Sequence, residues 1–216
     1  NFNDTRSASY SESVLKNNFR KYVAMFPGNT DFQFMANGSG TTPTYLTASY
    51  PDAGYYILRS GWKKEDAMMI LKNNNDPNNS WHCQSDNGTF GLYYNGYNFF
   101  PDAGVYAYSG SDRTKYAQTT WHNTLSIQNK GIANGFRNGE LKQLKEENGI
   151  QTLITENQTQ YLAGDNPNIP LTHRRTVFHD ITKKMFVIVD EAKGDEAYNY
   201  NTNMNFHPCP GATVEP

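Results

Sequence analysis

Three segments of the chain concentrate polar side chains that can bind metal ions or move protons. Residues 80–86 read SWHCQSD, residues 99–108 read FFPDAGVYAY and residues 119–125 read TTWHNTL. An imidazole nitrogen, a carboxylate oxygen and an amide oxygen form a donor set that suits a divalent cation. The same side chains often serve only as hydrogen-bond partners, so spacing alone leaves both interpretations open. The candidate residues are His82, Gln84, Asp86, Asp102, His122 and Asn123.

The elements that must position these side chains are predicted to be mainly β-strands. Tyr, Thr and Gly are abundant, and short apolar runs recur about every ten residues between turn signals, a pattern typical of an antiparallel β-sandwich. One helix is predicted over 11–26, where apolar residues recur at spacings of three and four before Pro27-Gly28. Strands are predicted at 32–36, 44–50, 54–62, 66–74 and 89–102, and several more after residue 119, whereas 135–150 suits a strand, a loop or a helical turn.

The Asn95-Gly96 dipeptide predicts a tight hairpin turn. Without a bulge, Tyr94 would face Tyr97 and residues 90 and 101 would pair, which places Gln84 and Asp102 on opposite faces. A bulge near Pro101 would bring them back together. The sequence leaves this register open.

Charge and composition exclude some classes of protein. The net charge is −2, which does not suit a general nucleic-acid binder, and no stretch is apolar enough for a membrane span. The basic pairs Arg113 with Lys115, Arg174 with Arg175 and Lys183 with Lys184 are interpreted as solvated. Cys83 and Cys209 are too few for a disulfide framework. The first residues show neither a signal peptide nor a starting Met, so we expect a mature product or a fragment.

The ordered succession of GYYILRSGW (54–62), residues 81–108 and TTWHNTL resembles the heparinase II/III polysaccharide lyases, and most of all their heparin-sulfate lyases of the heparinase III type. Such enzymes join an N-terminal (α/α) toroid to a C-terminal antiparallel β-sandwich, with the active site in the cleft between them. The resemblance therefore implies a helical connector or toroid remnant over residues 1–30. It implies a β-sandwich over 31–216, truncated at its C-terminus.

The resemblance also implies roles for individual residues. His82 is the catalytic residue of a β-elimination on a uronate-containing polysaccharide, neutralising the carboxylate or transferring the proton. Gln84, Asp102 and His122 hold one structural metal ion, with zinc favoured over calcium or manganese. Relatives often carry His at the position of Gln84, which leaves the metal's identity open. Tyr106, Tyr108 and Arg113 are candidates for substrate binding. Asp86 and Cys83 are not assigned to the site, because Asp86 is expected to support the Asn87-Gly88 turn.

The implied partners are an acidic polysaccharide such as heparan sulfate and the protein's own toroid domain, with neither nucleic acid nor membrane. The implied location is periplasmic or secreted. Since the family's toroid supplies an Asn and a Tyr to the reaction, we expect the isolated chain to be inactive. The alternative is a non-catalytic carbohydrate-binding β-sandwich whose tyrosines stack on sugars.

Overall fold

The computed structural model describes residues 5–38, 40–76, 84–104, 109–128, 130–132, 137–163, 166–194 and 201–209, together with Gly211 and Thr213. The chain divides into two compact units, Asn1–Tyr45 and Leu46–Pro216. The boundary predicted from the sequence lies earlier, at residue 30.

The first unit contains two helices, α1 (Thr5–Met25) and α2 (Thr30–Asn37). The strand predicted for 32–36 is wrong, because these residues lie in α2. The side chain of Asn29 caps this helix by accepting a hydrogen bond from the Phe32 N–H at 2.9 Å. Gly38 ends it in the left-handed conformation, with φ of 69°. Phe32 packs against Tyr22 of α1, with ring centroids 5.5 Å apart.

The second unit is built from antiparallel sheets, as the sequence predicted. The five-stranded sheet follows chain order and comprises β1 (Thr47–Tyr50), β2 (Tyr55–Arg59), β3 (Met68–Lys72), β4 (Phe90–Tyr94) and β5 (Tyr97–Phe100). The four-stranded sheet has the order β10-β9-β8-β7 and comprises β7 (Gly139–Glu147), β8 (Ile150–Ala163), β9 (Asn166–Asp180) and β10 (Met185–Gly194). A small sheet pairs β6 (Leu125–Ile127) with β11 (Thr202–Met204). Between β5 and β6 lie the short helix α3 (Ser111–Tyr116) and a 3₁₀ turn (Thr119–Trp121).

The core lies between the two larger sheets, which confirms the β-sandwich. Tyr56, Leu58, Met69, Leu71 and Phe90 of the five-stranded sheet form one buried cluster with Leu153 and Val177 of the four-stranded sheet. In β2, β3 and β9 the buried residues alternate with more exposed ones, as expected for a sheet that covers a core with one face. Among the described residues, no helix is both long and apolar enough to cross a bilayer.

The hairpin at Asn95-Gly96 forms as predicted, and it contains the bulge that the sequence had left open. Tyr94 pairs with Tyr97, but Leu92 pairs with Phe100, so the second strand carries one extra residue. Each residue after this point is displaced by one position relative to a regular hairpin. The bulge therefore removes the objection that Asp102 would be carried to the wrong face.

Candidate metal centre

Asp102 and His122 come together although twenty residues separate them in the chain. The His122 Nδ1 atom lies 3.0 Å from Asp102 Oδ2. The imidazole is fully buried, whereas the Asp102 side chain is 49% exposed. This pair therefore forms a buried nitrogen donor beside a carboxylate that solvent can reach.

Local structure holds both side chains in place. Asp102 follows β5, and its Oδ1 accepts a hydrogen bond from the Gly104 N–H at 2.8 Å, which fixes the carboxylate in a turn. His122 follows the 3₁₀ turn, where its N–H donates to the Thr119 carbonyl at 3.1 Å. The next residue, Asn123, donates from its side chain to the Phe90 carbonyl at 2.9 Å, which ties the His122 segment to β4.

Asp86 is the third member of the cluster. One potential ligand atom from each of Asp86, Asp102 and His122 lies within 4.8 Å of the other two. Asp86 is buried, and both of its carboxylate oxygens accept hydrogen bonds from Lys72 Nζ at 2.7 Å. Its backbone carbonyl does accept from the Thr89 N–H, so Asp86 contributes to the turn as predicted, but its carboxylate faces the cluster.

The cluster suits a divalent ion. One imidazole and two carboxylates form the mixed nitrogen and oxygen donor set that zinc accepts and that manganese also tolerates. The Nε2 atom of His122 is buried and has no hydrogen-bond partner among the described residues. Burial works against the charge on Asp102, but its hydrogen bond with His122, the charge of His122, the Gly104 N–H and the charge of Lys72 together hold its carboxyl pKa below the ordinary value. An ionised carboxylate is the form that binds a cation.

Gln84 contacts the same loop that carries Asp102. Its Nε2 donates to the Gly104 carbonyl at 3.1 Å, which leaves the amide oxygen as the atom that could reach a metal. The Gln84 carbonyl in turn accepts from the Arg137 side chain at 3.2 Å. Its role as a ligand remains a prediction.

Other predicted site residues lie elsewhere. His82, Tyr106 and Tyr108 fall outside the described residues, as does Cys83, whereas Cys209 is a free thiol. Arg113 lies on α3, where it lines a cleft that also contacts Ser85.

A buried arginine behind the cluster was missed. Arg175 is 1% exposed, so its interpretation as part of a solvated basic pair is wrong. Its Nη1 donates to the Gly88 carbonyl and, at 2.7 Å, to the Asn123 carbonyl. Its Nε and Nη2 donate to the two oxygens of Asp190 at 2.7 and 3.0 Å. Alternation along β9, which turns only one of two neighbouring residues inward, is the signal that could have identified it.

The Arg175 contacts connect two of the three segments that form the candidate metal centre. Gly88 lies two residues after Asp86, and Asn123 directly follows His122. His173 adds a contact from its Nε2 to Asp190 Oδ1 at 2.8 Å. Burial works against the charge on Asp190, but its hydrogen bonds with His173 and Arg175 and their charges hold its pKa below the ordinary value. We refer to Arg175, Asp190 and His173 as the Arg175 cluster.

Comparison with known proteins assigns the chain to a family. The model of the heparinase II/III-like C-terminal domain matches residues 42–215. The chain belongs to the heparinase II/III-like family. A heparin-sulfate lyase from Bacteroides thetaiotaomicron is 42% identical over 232 residues, which cover 99% of this chain and 31% of that protein. A heparin-sulfate lyase from Bacteroides stercoris is 33% identical over an alignment that covers 93% of this chain and 30% of that protein.

Solved structures of heparinase II/III-like proteins agree. The crystal structure of a heparan sulfate lyase from Pedobacter heparinus superposes with a TM-score of 0.73 at 32% identity, covering 85% of this chain and 28% of that one. A heparinase III crystal structure superposes with a TM-score of 0.77 at 38% identity, over 92% of this chain and 31% of the other. The chain thus spans about a third of the length of these relatives and has the fold of their β-sandwich portion.

Proposed function

We propose that this chain is the β-sandwich portion of a polysaccharide lyase that cleaves heparan sulfate or a similar uronate-containing polysaccharide by β-elimination. Family membership and relatives that are named heparin-sulfate lyases support the proposal. The observation that carries it is the convergence of Asp86, Asp102 and His122, of which Asp86 lies four residues after His82 in the chain.

The reaction defines what the site must provide. The C5 proton of a uronate is weakly acidic, so its removal needs neutralisation of the adjacent carboxylate, a base for the proton and an acid for the leaving oxygen. His82 has a side chain that can donate to the carboxylate or accept the proton at pH 7. We assign one of these two roles to His82, with Tyr106, Tyr108 and Arg113 binding substrate.

A single divalent ion, with zinc favoured over calcium or manganese, is part of the proposal. Asp102 and His122 would hold it, together with Gln84 by resemblance and Asp86 by position. The ion supplies a fixed positive charge that draws these carboxylates and the imidazole together. Asp86 lies four residues after His82 in the chain, so an ion held by this cluster would restrain the backbone next to His82 rather than react with the sugar.

The proposal divides the active site between two domains. The partner is the enzyme's own N-terminal toroid, which supplies the remaining acid and base, and the enzyme is proposed to act in the periplasm or outside the cell. The chain alone is therefore expected to form no unsaturated product from heparan sulfate. Measurable elimination by the isolated chain would contradict this division.

The test is a His82→Ala substitution in the full-length enzyme. General acid–base groups contribute roughly 10²–10⁴-fold to a reaction rate, so we expect elimination to slow by at least about 100-fold. The ultraviolet absorbance of the unsaturated uronate measures this rate. Cys83→Ala is the matched control, since strand alternation predicts that Cys83 points away. An unchanged rate in His82→Ala would remove His82 from the mechanism.

A further inference from the structure

A cleft lined by basic, hydroxyl and amide side chains lies beside the candidate metal centre, and of these residues the proposed function uses Arg113 alone. Its volume is about 580 Å³, within the range of small-molecule sites. Its walls come from α3, the 3₁₀ turn and the segment 130–132. Two cations line it, Arg113 and Lys130, and none of the described lining residues is acidic. Hydroxyl and amide groups make up much of the remaining lining: Ser85, Thr114, Gln118, Thr119 and Thr120.

We propose that this cleft binds a sulfate- or carboxylate-bearing sugar unit of the polysaccharide, with Arg113 and Lys130 contacting its anionic group. The inference rests on the proposed function, because it takes the substrate to be an acidic polysaccharide, and it adds a subsite for one unit of it. Guanidinium and ammonium groups form charge-assisted hydrogen bonds with such anions, and hydroxyl groups suit the remaining sugar oxygens.

The cleft walls are held together before any ligand binds. The Ile132 N–H donates to Thr119 Oγ1 at 2.9 Å, which ties segment 130–132 to the 3₁₀ turn. A Cβ on Gly131 would lie 2.1 Å from Thr119 Oγ1, so this close approach requires glycine. The Ser85 N–H donates to the Ala117 carbonyl at 3.1 Å and fixes the end of α3. A preformed cleft loses less entropy on binding than a flexible one.

Arg113 is available for a ligand, whereas its neighbour Lys115 is engaged. Arg113 makes no side-chain ion pair or hydrogen bond with another described residue, and its side chain is half-buried against the cleft. Lys115 on the same helix lies 4.5 Å from the centre of the Trp121 ring and does not line the cleft. Arg113 and Lys115 therefore carry the same charge on one helix, but Arg113 faces the cleft whereas Lys115 contacts an aromatic ring.

The position of the cleft links it to the proposed active site. Ser85 lies between Gln84 and Asp86, and the 3₁₀ turn that forms one wall leads directly into His122. A sugar unit in the cleft would contact Ser85, which lies three residues after His82 in the chain. The cleft is therefore placed to hold a unit of the polysaccharide next to the one being cleaved.

Isothermal titration calorimetry on the 216-residue chain tests the proposal. The probes are a trisulfated heparin disaccharide, its unsulfated counterpart and inorganic sulfate. We expect the sulfated disaccharide to bind, and Arg113→Gln and Lys130→Gln each to weaken it roughly tenfold, the loss of one charge-assisted hydrogen bond. Lys115→Gln removes the same charge from α3 and should change affinity by less than about twofold, because separated surface charges are screened. Thermal unfolding midpoints within about 4 °C of the parent chain would show that the variants remain folded.

Three results would overturn the inference. Equal weakening by Lys115→Gln would show that only net charge matters. Equal affinity for inorganic sulfate would reduce the cleft to a general anion site. Absence of binding would exclude it as a subsite. Since binding needs no elimination, a chain carrying His82→Ala should still bind the disaccharide. Loss of binding in Arg113→Gln together with normal turnover by the full-length His82→Ala enzyme would reject the proposed mechanism but not the subsite.

Discussion

His122 is a buried imidazole whose Nδ1 lies 3.0 Å from Asp102 and whose Nε2 has no hydrogen-bond partner among the described residues. An unpartnered polar atom in a protein interior costs about 1–3 kcal/mol, so its retention suggests a ligand. His207, by comparison, places its Nε2 2.9 Å from the Thr120 carbonyl and stacks on Trp121. The two histidines are alike in sequence terms but differ in their need for a partner.

If the cluster binds zinc, His122→Ala should lower the affinity of the chain for Zn²⁺ by at least about 100-fold, because a lost direct ligand exceeds the 10–100-fold effect of an outer-shell partner. Competition with a chromophoric chelator at pH 7 measures this affinity. His207→Ala is the matched control and should bind Zn²⁺ like the parent chain.

Asp86→Asn separates two possible roles of Asp86, as a metal ligand and as the ion-pair partner of Lys72. A loss of zinc affinity would make Asp86 a ligand, whereas unchanged affinity would leave it as the partner of Lys72 alone. Equal affinities in His122→Ala and the parent would exclude this site.

Residue types and spacing identified Asp102 and His122 as candidates, and the resemblance brought them together. Asp86 was assigned only to a turn, since an Asp before Asn-Gly has the same pattern whether its carboxylate faces solvent or a cluster. Its carboxylate is paired with Lys72, the last residue of β3. That pairing is a tertiary contact, and local sequence carries no signal for it.

At the scale of elements, the site depends on loops that meet only because strands behind them hold their backbones. The Arg175 cluster does this by joining the carbonyls of Gly88 and Asn123 to the four-stranded sheet. Gly88 has a φ of +81°, and a Cβ there would meet the His173 ring at 3.1 Å, so the turn after Asp86 packs tightly on this cluster. Asp190 balances the buried charge through two hydrogen bonds.

Arg175→Met should lower the free energy of unfolding by about 3–5 kcal/mol, because it leaves the buried Asp190 without its arginine and with His173 as its remaining partner. If Arg175 positions the metal loops, this variant should also bind Zn²⁺ more weakly than the parent. Leu153→Ala in the core is the control of similar cost, about 2–5 kcal/mol, and should leave zinc affinity unchanged. Urea unfolding and zinc titration measure the two quantities. If Arg175→Met binds zinc as tightly as the parent chain, the Arg175 cluster contributes to stability and does not position the metal loops.

Some elements could be predicted and others could not, for physical reasons. The Asn95-Gly96 hairpin followed from local turn chemistry, since both residues adopt positive φ there, 50° and 83°. The bulge after this turn could not be predicted, because Phe99 and Phe100 are adjacent and either ring could occupy the inward position. The α2 helix was mistaken for a strand because Phe32 and Phe34 alternate with polar or flexible neighbours, and its Asn29 cap was overlooked.

At the scale of the whole sandwich, a buried glutamine hydrogen-bonds across the interior between the two larger sheets. Gln151 on β8 donates from its Nε2 to the Arg59 carbonyl of β2 at 2.9 Å and to Glu146 at 3.0 Å. Its Oε1 lies 2.8 Å from Nδ1 of His179. The His179 ring stacks on Phe186 with centroids 4.0 Å apart. The fold thus holds a buried imidazole that favours the neutral state.

This arrangement predicts that the sandwich loses stability in mild acid. Burial lowers the pKa of His179 from 6.5 to about 4. As the pH falls below 6.5, the unfolded chain takes up a proton that the folded chain refuses, so the folded state is destabilised between about pH 6.5 and 4 and no further below that range. From pH 7 to pH 5 the loss due to His179 should be about 2 kcal/mol. His173, whose pKa burial also lowers, acts in the same direction.

His179→Asn isolates the contribution of His179, because the Asn amide can still donate to Gln151 from the position of Nδ1 but does not titrate. Urea unfolding at pH 7 and pH 5 should show a drop in stability that is about 2 kcal/mol smaller in His179→Asn than in the parent. The remaining drop in the variant reflects His173, since carboxylates with lowered pKa values lose their stabilising effect only below about pH 4. Equal drops in the two proteins would mean that His179 takes up its proton in the folded state without cost, and that the bridge between the sheets tolerates an imidazolium.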